Sequence, residues 1–227
     1  MQTDLIIFDC DGVLIDSEII VCRLVSEILT EYGYPITLER VIELFAGRPE
    51  REMVAEIEAA WGRTLPGGFS AECRQRTARA YQTELRAIPG VREVLDSIRI
   101  PICVASSASP EKLRLGLTCT DLYARFGGNI ISASVVAMGK PSPDVFVYAA
   151  GWMRQPVTGC VVIEDSLAGV SAARRAGMRV LGFTGGRHCP PGHGNKLSEA
   201  GADAVFGTMS ELRRVLPSGF DQFSAAS

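Results

Sequence analysis

The chain has 227 residues, 47% of them apolar and 22% charged, with a formal charge of −3. That is a globular composition, enough for one large domain or a core carrying a smaller second one. The slightly negative balance gives nucleic acid no electrostatic footing, and no run of about 18 apolar residues is present to span a membrane.

Leu5 to Phe8 is a short apolar run that reads as a buried parallel strand. It begins within about four residues of the first methionine, with no basic region or cleavage site of a secretory leader. The seven dispersed cysteines contain no C-x-x-C pair, and the expectation is reduced thiols in a cytoplasmic protein. Cys10, between two aspartates, is expected to point away from the crevice because neighbours in an extended segment face opposite sides. Asp9 and Asp11 follow the strand at once, then Gly12. Two such charges ~4 Å apart at an effective dielectric near 20 repel by roughly 4 kcal/mol. They need a bound cation or a lysine brought from elsewhere in the fold, and for a hard cation with oxygen ligands the expectation is magnesium.

From 18 to 87 the periodicity is helical. Segments are expected at 18–32, 37–46 (Thr37 as N-cap), 49–61 (Pro49 in the first turn) and 70–86, broken at Gly33, Gly47-Arg48-Pro49 and Pro66-Gly67-Gly68. The turn Ile88-Pro89-Gly90-Val91 closes this insert. Strands then read at 101–105, 129–132, 160–163, 179–183 and 204–206. Helices open at Ser109, Ser142-Pro143-Asp144 and Ser166, and a last one at Ser210 runs to Leu216. Residues 217–227 read as a frayed tail. Alternating strands and helices mean an α/β fold with a doubly wound parallel sheet. Residues 1–17 and 88–227 form the core and 18–87 a small all-helical cap.

Four further positions follow strands and so fall at the sheet's carboxyl edge: Ser106 (with Ser107 beside it), Lys140, Glu164 and Asp165. The Gly185–Gly194 loop holds both histidines of the chain, His188 and His193, and Cys189. As a zinc site it would be crowded without a fourth ligand from elsewhere, and it reads as a loop at the carboxyl edge touching substrate or the insert.

Asp9-Cys10-Asp11-Gly12-Val13-Leu14 with Asp16-Ser17-Glu18, taken with Ser106, Lys140 and Glu164-Asp165 in order, resembles the haloacid dehalogenase-like hydrolases. The likeness is to the branch of sugar phosphatases and phosphomutases with a helical cap, and within it to 6-phosphogluconate phosphatase-like proteins. The resemblance implies Asp9 as nucleophile, Asp11 as general acid and base, and Ser106 and Lys140 holding the phosphoryl group. It also implies magnesium held by Asp9, Asp165, Glu164 and the backbone carbonyl of Asp11. Candidates for substrate contact are Ser17, Ser107, Arg48 and Arg51. The expected partner is a small phosphorylated metabolite, the expected state a monomer or weak homo-oligomer. Asp11 argues against a dehalogenase, which has no leaving alcohol to protonate. Val21 stands where the β-phosphoglucomutases carry a histidine, which favours hydrolysis over a mutase. A response-regulator receiver is disfavoured by length and by the position of the Asp-x-Asp pair.

Overall fold

In the computed structural model, which describes residues 3–48 and 50–220, strand β1 (Leu5–Phe8) is buried at every position. Four helices follow: α1 (Glu18–Glu31), α2 (Leu38–Phe45), α3 (Glu50–Trp61) and α4 (Phe69–Thr83). The chain continues through α5 (Val91–Ser97), β2 (Ile102–Ser106), α6 (Pro110–Cys119), β3 (Ile130–Ser132), α7 (Asp144–Trp152), β4 (Cys160–Glu164), α8 (Leu167–Arg175), β5 (Arg179–Phe183), α9 (His193–Glu199), β6 (Ala204–Phe206) and α10 (Leu212–Val215).

The described strands form one six-stranded sheet in the order β3-β2-β1-β4-β5-β6, parallel throughout. β1 is central, and chain order reverses beside it, which opens a crevice at the carboxyl ends of β1, β2 and β4. Phe8 pairs with Val104 on one side and Ile163 on the other. That register sets Asp9, Ser106 and Glu164 at one edge.

Alternation along the strands divides the core. Ile6, Phe8, Val104, Val161 and Ile163 pack with Val94, Leu113, Leu117 and Leu212 of α5, α6 and α10. Leu5, Ile7, Cys103, Ala105 and Val162 pack on the other face with Phe146, Ala149, Val170, Ala173 and Leu197 of α7, α8 and α9. Covered on both faces, the strands read as continuous apolar runs. The first helices have a core of their own, where Val25, Ile28 and Leu29 of α1 meet Val41, Phe45, Met53, Ile57 and Phe69. The opposite side of α1, through Ile20 and Leu24, joins the sheet's core with Ala80 and Tyr81 of α4.

Several boundaries differ from the sequence reading. α5 and α9 were not anticipated; each has only seven residues, too few to display a helical period. α4 stops at Thr83 because the next residues pair with the strand-like segment after Asp11: Ile15 bridges Ala87, Asp16 N donates to Arg86 O, and Ile88 N donates to Leu14 O. The last helical segment is capped by Thr208, not Ser210; Thr208 and Glu211 form a capping box that opens a 3-10 turn before α10. Residues 217–220 are not frayed: Phe220 is buried and bridges Ile98. Pro49 and residues 221–227, the remainder of the expected tail, lie outside the described residues. No described helix is long and apolar enough to cross a membrane.

Gly169, in the first turn of α8, faces the buried Glu164 so closely that a Cβ would fall on its carboxylate. Gly169→Ala is therefore expected to destabilise by about 1–3 kcal/mol, as overpacking does, measured by urea unfolding.

Candidate active site

The register at the centre of the sheet brings the acidic groups together before any ligand is considered. Asp9 N donates to Ile163 O at 2.9 Å, which fixes Asp9 beside the end of β4. Asp9, Glu164 and Asp165 are all buried, and one oxygen of each lies within 4.8 Å of the others. Lys140 reaches in from the connection between β3 and α7. Its Nζ donates to Asp9 Oδ1 at 2.7 Å, to Glu164 Oε1 at 2.6 Å and to Ala105 O at 3.2 Å. It also lies 4.9 Å from the centre of the Phe146 ring, a cation–π contact.

Burial raises the Asp9 pKa well above the usual carboxylate range; Lys140 opposes that rise, and Glu164 and Asp165 add to it. For Lys140, burial works against the charge, but Asp9 and Glu164 outweigh it and hold the ammonium protonated. Glu164 is fully committed within the protein. Its Oε2 accepts from Ser166 N and Ser166 Oγ at 2.8 and 2.9 Å, and Ser166 in turn caps α8 by accepting from Gly169 N. Ser106 is buried at the end of β2, its Oγ accepting from Ala108 N at 3.2 Å, and Ser107 beside it is exposed.

Asp11 faces a different set. Ser17 Oγ donates to Asp11 Oδ1 at 2.5 Å, and Lys112 Nζ lies 3.1 Å from the same oxygen. Lys112 is half-buried, and burial disfavours its charge; Asp11, Tyr81 and Glu18 outweigh this and raise its pKa well above that of a free lysine. Glu18, raised by burial, also accepts from Gly47 N at 3.2 Å. The Tyr81 hydroxyl is buried nearby without a hydrogen-bond partner among the described residues.

The structure thus gathers Asp9, Asp11, Ser106, Lys140, Glu164 and Asp165 at one sheet edge, with Ser107 on its rim. Three candidates for substrate contact have other engagements or placements. Ser17 is fully buried and its hydroxyl is spent on Asp11. Arg48 pairs with Glu56 at 2.7 Å and Glu52 at 3.4 Å, because the turn before α3 sets its guanidinium over the acidic face of that helix. Arg51 is exposed on α3.

One residue at the site, Lys112, escaped the sequence reading, and the Gly185–Gly194 loop, expected at this edge, supplies two more. Lys112 had a signal: a cation in the first turn of α6 opposes the helix dipole, so it needs another partner. His188 is buried, with Nε2 2.9 Å from Asp165 Oδ2. Burial would lower its pKa, but hydrogen bonds to Asp165 and Cys189 and the charge of Asp165 raise it to about 11. Arg187 donates from its backbone N, at 3.1 Å, and from its Nε to Asp16, fastening the loop after β5 to the loop after β1.

The chain is similar to known proteins. The family model described as haloacid dehalogenase-like hydrolase matches residues 3–177. The chain is 30% identical to the 6-phosphogluconate phosphatase of Escherichia coli K12 over 191 residues, covering 84% of this chain and 86% of that protein. It is 31% identical to the phosphorylated carbohydrates phosphatase of Thermotoga maritima, covering 88% and 92%. The crystal structure of a haloacid dehalogenase-like protein from Agrobacterium tumefaciens superposes with a TM-score of 0.87 at 38% identity, over 95% of this chain and 98% of that one.

Removing the central cation tests the electrostatics directly. Lys140→Met leaves Asp9 and Glu164 buried without it, and the expected loss is about 3–5 kcal/mol at neutral pH in chelator. A carboxylate whose folded pKa is raised keeps its proton in the native state at pH values where the unfolded chain has lost it, so stability falls as pH rises across that window. The deficit of Lys140→Met relative to wild type should therefore shrink as pH is lowered below neutrality, read by urea unfolding at a series of pH values.

Proposed function

The chain belongs to the haloacid dehalogenase-like hydrolase family, and on that footing we propose that it is a magnesium-dependent phosphatase. It hydrolyses a small sugar phosphate or sugar-acid phosphate through an aspartyl-phosphate on Asp9. The observation that carries this reading is the single lysine bridging Asp9 to Glu164, with Asp165, Asp11 and Ser106 at the same sheet edge.

The donor set fits magnesium: buried carboxylate oxygens gathered within 4.8 Å, with more negative charge than Lys140 balances. Asp9, Asp165 and the backbone carbonyl of Asp11 would hold the ion; Glu164, its oxygens taken by Lys140 and Ser166, adds charge and orients the lysine. A bound magnesium ion neutralises the carboxylates and the phosphoryl oxygens.

In the first step an Asp9 oxygen attacks phosphorus. A new O–P bond forms, the bond to the leaving oxygen breaks, and that oxygen takes a proton from Asp11. In the second, Asp11 takes a proton from water, which attacks phosphorus and frees Asp9 and inorganic phosphate. Lys140 and Ser106 hold the phosphoryl oxygens, where positioning and electrostatics do most of the work. Ser17 and Lys112, both on Asp11 Oδ1, set the orientation of the acid.

Residues 18–87 form the lid. It has its own apolar core and joins the rest through two adjacent strand-like connections, Leu14–Asp16 and Arg86–Ile88. Such a pair of connections can act as a hinge. The sugar-phosphate class is supported by the relatives named for 6-phosphogluconate and phosphorylated carbohydrates. The dispersed, unpaired cysteines and the class of substrate support a cytoplasmic location.

A phosphomutase is the second reading, because the chain is 28% identical to the β-phosphoglucomutase of Bacillus subtilis over 91% of its length. Val21 weighs against it: this side chain packs with the apolar cluster of the first helices and has no proton to give.

The test is phosphate release from a panel of phosphorylated sugars and sugar acids, with magnesium and with EDTA. Release should stop in EDTA and in Asp9→Asn. Asp11→Asn should be slower by about 10²–10⁴-fold. Release that survives either EDTA or Asp9→Asn contradicts the mechanism. Glucose 6-phosphate formed from β-glucose 1-phosphate without phosphate release would establish the mutase.

A further inference from the structure

Asp165 is gripped twice from the chain that follows β5. The loop sends His188 to the Asp165 carboxylate, Nε2 to Oδ2 at 2.9 Å, and the first residue of α9, His193, reaches the Asp165 backbone, with Nε2 2.6 Å from its carbonyl oxygen. The slot that receives the His188 ring is made by two glycines. A Cβ on Gly12, which has φ of 79°, would strike Asp165 Oδ2 and come within 2.6 Å of His188 Cε1. A Cβ on Gly186 would lie 2.7 Å from both Cε1 and Nδ1 of the same ring. Within the slot His188 is 6% exposed and its Nδ1 has no partner among the described residues. Its polar engagement is through Nε2, with Asp165 and with Cys189 Sγ at 3.5 Å. An apolar ring would fill the slot with no buried nitrogen left unpaired. The histidine is therefore spent on Asp165.

We propose that His188 and His193 are positioning residues that lock Asp165, side chain and backbone, in the orientation that binds magnesium. The inference rests on the reading of Asp165 as a magnesium ligand. His188 engages one carboxylate oxygen, restricts the rotamer and leaves the other oxygen to the cation. His193 holds the backbone from which that carboxylate projects. Partners of this kind, hydrogen-bonded to a ligating carboxylate, are typically worth 10–100-fold in metal affinity. The loop is fastened independently, because Arg187 bonds Asp16, so the histidines are not its only anchor.

The experiment is calorimetric titration of magnesium into the EDTA-treated, dialysed protein, with thermal unfolding measured in parallel. His188→Phe fills the slot without a donor, and His188→Gln keeps one. Magnesium should bind about 10–100-fold more weakly to His188→Phe, with part of the affinity restored in His188→Gln. In turnover assays kcat should recover at high magnesium. His193→Ala should weaken the ion in the same direction. Wild-type magnesium affinity in His188→Phe, whatever its melting temperature, overturns the inference and leaves the histidine a packing residue. Weakening of equal size in His188→Phe and His188→Gln also overturns it, because the donor would not matter. A wild-type protein that binds no magnesium removes the metal reading itself, a separate failure from the other two.

Discussion

Everything at the carboxyl edge of this sheet answers one electrostatic constraint. Asp9, Glu164 and Asp165 are buried within 4.8 Å of one another, and like charges about 4 Å apart cost roughly 4 kcal/mol at an effective dielectric near 20. Such a cluster persists only where the fold delivers positive charge and hydrogen-bond donors to it. Lys140 is delivered by the connection between β3 and α7, and its ammonium is backed by the Phe146 ring. Ser166 supplies a backbone N–H and a hydroxyl to Glu164. The loop after β5 supplies His188 to Asp165. Three connections, after β3, β4 and β5, are thus fixed by the same local excess of negative charge.

The first helices meet that edge through the acid Asp11 rather than through Asp9. Glu18, at the start of α1, accepts from Gly47 N in the turn after α2 and lies near Lys112, whose pKa burial would lower but Asp11, Tyr81 and Glu18 raise. The Gly47 turn touches the core at Ser166, where a Cβ on Gly47 would come within 3.1 Å of the serine Cβ. A helical segment with its own apolar core therefore contacts the polar edge at only a few points. Each is a residue whose neighbour already bonds one of the carboxylates.

The strands were legible because a two-sided parallel sheet leaves uninterrupted apolar runs, as in Leu5–Phe8 and residues 160–163. Asp9, Ser106, Glu164 and Asp165 were legible for the related reason that each stands at or just after the end of such a run, whereas Lys140 lies farther along, in the connection between β3 and α7. What the residues alone did not reveal lies where contacts are long-range or elements short. Seven residues of α5 or α9 show no period. Arg48 is at a position that invites a substrate contact, yet the acids that take it, Glu52 and Glu56, are fixed by α3, one and two turns along. Ser17 was marked as a substrate contact on resemblance, and only the fold shows that its hydroxyl is enclosed with Asp11. His188 drew attention by its unusual loop, but its partner is 23 positions away in sequence, on a different strand end.

Counting charge at the edge shows why a cation and a phosphorylated substrate belong together here. Asp9, Asp11, Glu164 and Asp165 face the lysines Lys140 and Lys112. Four formal negative charges against two positive leave the protein groups two short of neutrality. A phosphate monoester near neutral pH brings close to two further negative charges. The fold has no additional buried lysine at this edge among the described contacts to offset them, so the phosphoryl group would enter a field that repels it. On the proposed reading a divalent cation reverses that balance, and reciprocity follows: whatever holds the cation more tightly favours the phosphate, and the bound phosphate favours the cation. The residues that set Asp165 in place then act on substrate affinity without touching the substrate.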